Sequence, residues 1–328
     1  MHATTAGTGE AQQGVPASRR IGPYVLITAL DDPRSHNPVP ERRYIARSAD
    51  GEHTVLLSTP LAGTDPQRFM AEAEASRYLL GQFMSPAVTC AASGEAAWHA
   101  RPYLPALPLP TALAVHGGPL PERTVRALGA ALAEALVIAH GQGLTYAGVS
   151  PAAVLLAADG PRLTCFGAVR AAAPDGTPRS GLPGLEPGSL PPEQASGGRP
   201  RPLGDVYALG ATLAYAATGH TTPERDELPS ALRTILSRCL ARDPGARPQL
   251  AELLDLFAPT AAITPSAPHP ADPAMVQVPV DAGFATRTAA LLGPGWLTSP
   301  VIAAIAHQSA AVLSAEIPRS TVPTSRQD

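Results

Sequence analysis

Short runs of apolar and β-branched residues near the start of the chain predict β-strands. The three runs are Tyr24–Leu30, Tyr44–Ser48 and His53–Thr59. Between the second and third runs, Asp50-Gly51 is typical of a hairpin turn. A helix is predicted after Asp65, because aspartate is a favoured N-cap and Pro66 suits the first helical position. This part of the chain is therefore expected to be a small β-rich unit with one helix.

Beyond residue 105, apolar positions recur mainly at helical spacing. The clearest pattern predicts a long helix that follows Pro121 and ends near Gly141. Its apolar stripe consists of Val125, Leu128, Leu132, Leu136 and Ala139. Asp159-Gly160 predicts a second hairpin, and further helices are expected over residues 205–218, 230–240 and 250–257. This order predicts an α+β fold in which a larger, mainly helical unit follows the β-rich one.

Both ends of the chain differ in composition from its middle. Residues 1–20 are rich in Gly, Ala, Thr and Gln and are expected to be disordered. Residues 258–290 are rich in Pro and Ala and are expected to form a linker. Within residues 291–328, the spacing of apolar residues predicts an amphipathic helix over Trp296–Ile317. Three roles are open for this helix: docking back on the domain, binding a partner, or lying on a membrane surface.

Composition narrows the classes of function. The 328 residues carry a net charge of −3, so no strong attraction to nucleic acid is expected. No uninterrupted run of about 18 apolar residues occurs, so no membrane span is expected. Cys90, Cys165 and Cys239 stand far apart, which argues against a disulfide framework or zinc site and fits a cytoplasmic location. All 24 basic residues counted as Lys or Arg are arginine, which excludes reactions that require a lysine.

Three segments in the second half of the chain carry a family resemblance. Residues 191–194 read P-P-E-Q, residues 204–210 read G-D-V-Y-A-L-G, and residues 239–248 read C-L-A-R-D-P-G-A-R-P. In this order and at these separations they resemble the S-P-E-Q, D-V-x-S-L-G and C-L-x-x-D-P-x-x-R-P motifs of bacterial, actinobacterial-type serine/threonine protein kinases. The resemblance covers residues 21–257. It implies a two-lobed α+β protein kinase fold, with an N-lobe over about 21–104 and a C-lobe over about 105–257.

The resemblance implies structural roles for five retained positions. Asp205 would accept hydrogen bonds from the backbone of the catalytic loop. Glu193 and Arg247 would form a buried ion pair that ties the activation segment to the C-lobe. Tyr146 and Phe166 would keep the ring-like bulk of an internal hydrophobic spine.

The same resemblance places unexpected residues at the catalytic positions. The catalytic loop H-R-D-L-K-P-x-N maps onto residues 146–153, with Gly148 in place of the base aspartate and Ala153 in place of the metal-binding asparagine. The D-F-G triplet maps onto Cys165-Phe166-Gly167, and a thiol is a poor ligand for Mg²⁺. Cys165 is either a reactive thiol or, as the lack of a neighbouring base favours, a small buried residue.

The phosphate-binding elements of the N-lobe are altered as well. The position of the β3 lysine falls on Leu57, or on Ser58 if the alignment shifts by one residue. Its helix partner is retained as Glu72, with nothing left to pair with it. Residues 31–41 replace the glycine-rich loop, and with no glycine and three prolines they offer few backbone N–H groups to phosphate.

The adenine pocket of the family maps onto six positions, two of which hold arginine. The two guanidinium groups either fill the cavity or point out to solvent. The six positions are Arg43, Val55, Arg101, Tyr103, Leu104 and Leu155.

These differences favour a pseudokinase that binds or scaffolds a protein partner without phosphotransfer. On this hypothesis the chain is not an enzyme, holds no metal, and binds ATP and Mg²⁺ weakly or not at all, because phosphoryl transfer depends on positioning and charge neutralisation by the missing groups. The alternative is an ATP-dependent serine/threonine protein kinase with atypical or residual activity.

Overall fold

The computed structural model describes residues 19–32, 35, 37–258 and 282–316, with side chains in the last range from residue 287 onward. Residues 1–18 of the predicted disordered segment and most of the predicted linker lie outside the described residues. The last residue of that segment, Arg20, begins a β-strand, so the predicted disorder does not extend to residue 20. Within them the chain forms two lobes, a β-rich small lobe and a mainly helical large lobe, which confirms the predicted α+β architecture.

The small lobe is built on a six-stranded antiparallel sheet. Its strands are β1 (Arg20–Ile21), β2 (Tyr24–Ala29), β3 (Glu41–Ser48), β4 (Thr54–Pro60), β5 (Thr89–Cys90) and β6 (His99–Pro102). Their order across the sheet is β1-β2-β3-β4-β6-β5. Because side chains alternate between faces along a strand, β3, β4 and β6 each send every second residue toward the large lobe.

Helix α1 (Pro66–Ser76) connects β4 to β5. It begins as predicted: Pro66 occupies the first turn, and the Asp65 side chain accepts a hydrogen bond of 2.8 Å from the Gln67 backbone N–H. Phe69 and Ala73 are buried on its inner face.

The large lobe combines helices with a three-stranded sheet. Its strands are β7 (Ala106–Pro108), β8 (Val154–Ala157) and β9 (Gly160–Leu163), and its helices are α2 (Leu109–His116), α3 (Glu122–Gly141), α4 (Ala168–Ala172), α5 (Pro192–Ala195), α6 (Pro202–Thr218), α7 (Ser230–Cys239) and α8 (Leu250–Phe257). Among the described residues α3 is the one helix long and apolar enough to span a membrane, and 72% of its apolar window is buried inside the domain. It is the central core helix, and it packs against α6 and α8.

Two more helices follow, α9 (Ala282–Leu291) and α10 (Ser299–Ser314). Helix α9 occupies the end of the segment predicted as a linker, so the linker does not extend to residue 290. Apolar residues at its end, Leu291 and Leu292, pack against the large-lobe core. Of the three roles open for the C-terminal helix, docking on the domain is the one observed, with Trp296, Val301 and Ile305 buried in that core.

Candidate functional site

A buried arginine occupies the cleft between the two lobes. Arg43 on β3 is 2% exposed. Its Nε donates to Asp31 Oδ2 (2.9 Å), its Nη2 donates to Asp31 Oδ1, and its Nη1 donates to the backbone oxygen of Ala152 in the large lobe (2.7 Å). A guanidinium that satisfies both partners at once fills the space between them. Of the two orientations left open by the sequence, Arg43 therefore adopts the inward one.

Arg101 on β6 also points inward and joins a polar cluster. This cluster consists of Glu41, Ser58, His99 and Arg101, all less than 6% exposed. Glu41 accepts a hydrogen bond from Ser58 Oγ (2.8 Å) and lies 3.3 Å from His99 Nε2 and 3.5 Å from Arg101 Nη2. Nε and Nη1 of Arg101 have no hydrogen-bond partner among the described residues. The cluster stands where the resemblance implies a lysine–glutamate pair.

Burial and charge act in opposite directions on Glu41. Burial alone would raise the pKa of this carboxyl, but the Arg101 guanidinium, together with His99 and Arg43, holds the pKa of Glu41 well below its usual range. His99 is kept neutral, because burial lowers its pKa more than the nearby Glu41 raises it. The buried cluster is thus an ionised carboxylate beside one permanent cation.

Acidification is expected to destabilise the domain through this cluster. A group whose pKa is lower in the folded state contributes stability above its unfolded pKa and loses it as the pH falls. The loss should begin near the unfolded pKa of histidine, about 6.5, and continue below that of glutamate, about 4.3. Urea denaturation at pH 7.5, 6.0 and 5.0 measures this loss in the free energy of unfolding. His99→Gln should flatten the change between pH 7.5 and 5.0, whereas His53→Gln on the exposed hairpin should not; an equal slope in both variants would contradict this origin.

The sheet register corrects two predicted positions of the site, Leu57 and Val55, and surface exposure corrects a third, Leu104. Arg43 pairs with Ser58 across β3 and β4, so Ser58, the shifted alternative for the lysine position, faces the cleft. Leu57 and Val55 lie on the opposite face, in the apolar cluster that contains Trp98. Leu104 also departs from its predicted place, since 38% of its surface is exposed.

Tyr103 and Leu155, in contrast, belong to the apolar lining of the cleft. Tyr103 packs against this cluster from the hinge, the segment of residues 102–104 that connects the two lobes, and Leu155 on β8 contributes to the cluster from the large lobe. These two positions therefore lie where the resemblance implies.

Glu72 has a partner that sequence reasoning missed. Its carboxylate accepts hydrogen bonds from Arg170 Nε (2.8 Å) and Nη2 (2.6 Å). Arg170 lies on α4, directly after the Cys165-Phe166-Gly167 triplet, and its guanidinium stacks over the Phe166 ring at 4.9 Å. The expectation that nothing remains to pair with Glu72 is therefore wrong: α1 is fastened to α4.

The catalytic-loop position of Gly148 has no room for a side chain. A Cβ atom there would lie 1.9 Å from the carbonyl oxygen of Cys165, far inside van der Waals contact. Ala153 is fully buried, and its own carbonyl accepts hydrogen bonds from the backbone N–H and the Oγ1 of Thr164. The carbonyl of Cys165 therefore takes the space in which a side chain at position 148 would stand.

Cys165 is a buried thiol in a strained backbone conformation. Its φ of +61° lies in the left-handed region that disfavours side chains. Burial, reinforced by the charge of Glu41, raises its pKa to about 12, so the thiol stays protonated and is a weak nucleophile. The structure thus places the small buried residue here and not a reactive thiol.

Asp205 makes the contacts that the resemblance implies. Its carboxylate is 1% exposed and accepts hydrogen bonds from the backbone N–H groups of Tyr146 and Ala147, both at 2.7 Å, and lies 2.9 Å from His140 Nε2. The Tyr146 ring meets Phe166 edge to face, with centroids 5.4 Å apart. The catalytic loop is held in place although its reactive side chains differ.

The activation segment, residues 165–195, is fastened at its end by an ion pair. Arg247 Nη1 and Nη2 donate to the two carboxylate oxygens of Glu193 at 2.6 and 2.9 Å. The same guanidinium also donates to the backbone oxygens of Leu203 and Ala241. The pair that the resemblance implies is therefore present.

The donor set does not fit Mg²⁺ as the family would hold it. Ala153 and Cys165 supply no side-chain oxygen, whereas Mg²⁺ is bound through oxygen ligands. In the part of the chain that the structure describes, no group of three or more His, Cys, Asp or Glu side chains is arranged to hold a metal ion.

Strand periodicity could have revealed part of the cluster. Glu41 and Arg43 are two residues apart, as are His99 and Arg101, so each pair shares one face of its strand. Asp31 lies at the start of the segment that replaces the glycine-rich loop, and no local signal in the sequence identifies it as the partner of Arg43.

Comparison with known proteins places the fold and the site in context. No protein-family model matches the chain. It is 32% identical over 264 residues to the probable serine/threonine-protein kinase PkwA of Thermomonospora curvata, covering 74% of this chain and 34% of the relative. It is 30% identical over 263 residues to the serine/threonine-protein kinase AfsK of Streptomyces coelicolor, covering 74% of this chain and 32% of the relative. The chain thus spans about a third of the length of these relatives.

A solved structure shows the same fold. A mutant of the Mycobacterium tuberculosis PknI kinase domain matches with a TM-score of 0.56 and 21% identity, over 75% of this chain and all of that one. At this identity the match supports the protein kinase fold alone.

The relatives correct two expectations drawn from the sequence. The expectation that the chain is not an enzyme is contradicted by these relatives, which are named serine/threonine-protein kinases. The same relatives contradict the expectation that ATP and Mg²⁺ bind weakly or not at all, because protein kinases transfer a phosphoryl group from ATP with Mg²⁺. The resemblance itself is confirmed. The chain carries a two-lobed domain of the protein kinase fold, homologous to the serine/threonine protein kinases of actinobacteria.

Proposed function

We propose that this domain acts in serine/threonine kinase signalling as a regulatory module that binds a protein partner through its activation segment. The observation that carries the proposal is that the contacts fixing this segment are complete, although the catalytic positions differ. Glu72–Arg170 fastens its start and Glu193–Arg247 fastens its end.

The middle of the activation segment is held by a third arginine. Arg179 has no exposed side-chain surface and donates to the backbone oxygens of Ala173 and Gly198 and to the carboxylate of Asp175. Residues 174–178 are exposed around this buried anchor. A surface held in one conformation loses less entropy when a partner binds, which favours recognition.

Partner capture with matched surface variants tests the proposal. The full chain is used as bait, and Thr177→Arg places a bulky charge on the exposed part of the activation segment. Glu52→Arg places the same residue on the exposed hairpin of the small lobe. We expect a protein that wild type and Glu52→Arg capture and that Thr177→Arg loses. Equal capture by all three baits would contradict recognition through this segment.

The second candidate is ATP-dependent phosphotransfer to a serine or threonine of a protein, which the names of the relatives favour more directly. One structural observation also supports it. Arg101 is a buried cation in the cleft, and two of its nitrogens, Nε and Nη1, have no hydrogen-bond partner among the described residues. Buried donors of this kind are usually paired with an acceptor. With no lysine in the chain, an arginine is the cation available to an anionic ligand at this place.

This candidate predicts that ATP stabilises the domain through Arg101. Ligand at about 100 times its Kd adds about 2.7 kcal/mol to the free energy of unfolding, which a thermal shift detects. The shift should be present in wild type and in Arg238→Met, an exposed arginine, and reduced in Arg101→Met. Transfer of labelled phosphate to a protein acceptor is measured in parallel. Neither a shift nor transfer at millimolar ATP would contradict phosphotransfer while leaving partner binding intact.

We further propose a cytoplasmic location. Cys90, Cys165 and Cys239 are all free thiols, which is usual in a reducing compartment.

A further inference from the structure

Helix α10 runs past the hinge and touches both lobes. Val301 and Ile305 near its start are buried in the large-lobe core. Trp296, just before the helix, donates from Nε1 to the backbone oxygen of Ala158 (2.8 Å). Its own backbone oxygen accepts a hydrogen bond from Thr124 Oγ1 (2.6 Å). This end of the helix is part of the large lobe.

The other end of α10 enters the cleft. Val312 is 2% exposed and belongs to an apolar cluster that joins the two lobes, here called the hinge-side cluster. Its members are Leu30, Ile45, Leu56, Ala106, Leu155, Ala157 and Val312. The C-terminal helix therefore supplies one of the side chains that fill the apolar part of the cleft.

Polar contacts hold the same end against the small lobe and the hinge. Arg47, on β3, donates from Nη1 to the backbone oxygen of Ala315 (2.9 Å) and from Nη2 to that of Val312. A cation at a helix C-terminus satisfies carbonyl groups that have no partner within the helix. In the middle of the helix, the hydroxyl of Tyr103 on the hinge donates to Gln308 Oε1 at 3.4 Å.

The two ends are not held equally. Near its start the helix is anchored by Trp296, Leu297, Val301 and Ile305, all buried in the large-lobe core. Its last turn is held by the single buried side chain of Val312 and by Arg47, which is itself half-buried. Local opening favours the element with the fewest buried contacts, so of the two ends of the helix the last turn is the one expected to open more readily.

We propose that helix α10 is an intramolecular gate on the hinge side of the cleft. When Val312 is packed in the hinge-side cluster, the gate is closed and the helix contacts both lobes. With its last turn released, the gate exposes an apolar site between Leu56 and Leu155 that accepts a flat apolar ring. The adenine ring of a nucleotide is of that class, and this part of the proposal rests on the phosphotransfer candidate.

Adjacent residues of the helix provide a matched test in the full chain. Val312→Asp places a charge in the hinge-side cluster, whereas Leu313→Asp places it at a position that is 75% exposed. The readout is amide hydrogen exchange of residues 102–108 and 299–316. We expect Val312→Asp to raise exchange in both segments at least tenfold and Leu313→Asp to stay within twofold of wild type. A folded Val312→Asp with unchanged exchange, or an equal rise in both variants, would overturn the gate.

A milder variant, Arg47→Gln, tests the gate if Val312→Asp does not fold. Arg47→Gln removes the charged contacts to the last turn without placing a charge in the core. It should raise exchange in the same two segments, and unchanged exchange would overturn the proposal.

The adenine site is tested separately with a fluorescent ATP analogue in EDTA, which excludes any metal. We expect the analogue to bind at least tenfold more tightly to Val312→Asp than to wild type. If Val312→Asp does not fold, the comparison is made with Arg47→Gln. Raised exchange without tighter binding would support the gate and overturn the adenine site.

Discussion

Addition of one methyl group at Gly148 is expected to destabilise the domain by about 3 kcal/mol or more, at the upper end of the range for overpacking. The Cβ of Gly148→Ala would lie 1.9 Å from the carbonyl oxygen of Cys165. That carbonyl cannot easily move away, because it accepts a hydrogen bond from the Ala168 backbone N–H, and the Gly167 N–H binds the Tyr146 carbonyl at 2.9 Å. The midpoint of urea denaturation measures the effect.

Gly141→Ala is the matched control for this substitution. Gly141 ends helix α3, and a Cβ there meets nothing within 4 Å. Since alanine is favoured over glycine in helices by up to about 1 kcal/mol, this variant should be neutral or slightly more stable. If Gly148→Ala were as stable as Gly141→Ala, the close packing of the catalytic loop on Cys165 would be wrong.

The same clash bears on any attempt to restore the family's base residue. Gly148→Asp carries the same Cβ as Gly148→Ala, so the backbone of Cys165 would have to move before an aspartate could stand there. The absence of a carboxylate at position 148 and the close packing of the catalytic loop on Cys165 are therefore linked. The substitution Gly148→Asp would restore the carboxylate but not the space that it needs.

The elements of the fold were predictable where a local signal determines them. The N-cap at Asp65 and the apolar stripe of α3 each have a physical cause within a few residues, and both helices form as predicted. Strand β4 was predicted, but its register was not. The run Val55-Leu56-Leu57 is apolar at every position, so periodicity cannot tell which face is buried against the cleft.

The contacts of the site escaped prediction because they join distant parts of the chain. Glu72 and Arg170 are 98 positions apart, and Arg47 and Ala315 are 268 apart. Neither pair has a local pattern, and only the folded lobes bring them together. Arg43 was identified at the cleft from the resemblance, but its partners Asp31 and Ala152 lie on two other segments, so its orientation had to come from the structure.

Arg247→Met is expected to destabilise the domain by about 3 kcal/mol, the lower end of the range for breaking a buried ion pair. Arg247 is 3% exposed, but the side chain of its partner Glu193 is 34% exposed and keeps part of its hydration. The substitution also leaves the backbone oxygens of Leu203 and Ala241 without their donor. Urea denaturation measures the loss of stability.

Arg238→Met is the matched control, because Arg238 pairs with Glu252 on the surface, with both side chains more than 40% exposed. A surface pair contributes at most about 1 kcal/mol, so this variant should remain close to wild type. Arg247→Lys should recover little of the loss, since an ammonium cannot reproduce the two-pronged contact of a guanidinium with Glu193. Amide exchange over residues 190–198 should rise in the Arg247 variants and not in Arg238→Met. A uniform rise across the domain would instead mean that Arg247 supports the large lobe as a whole and does not specifically hold the activation segment.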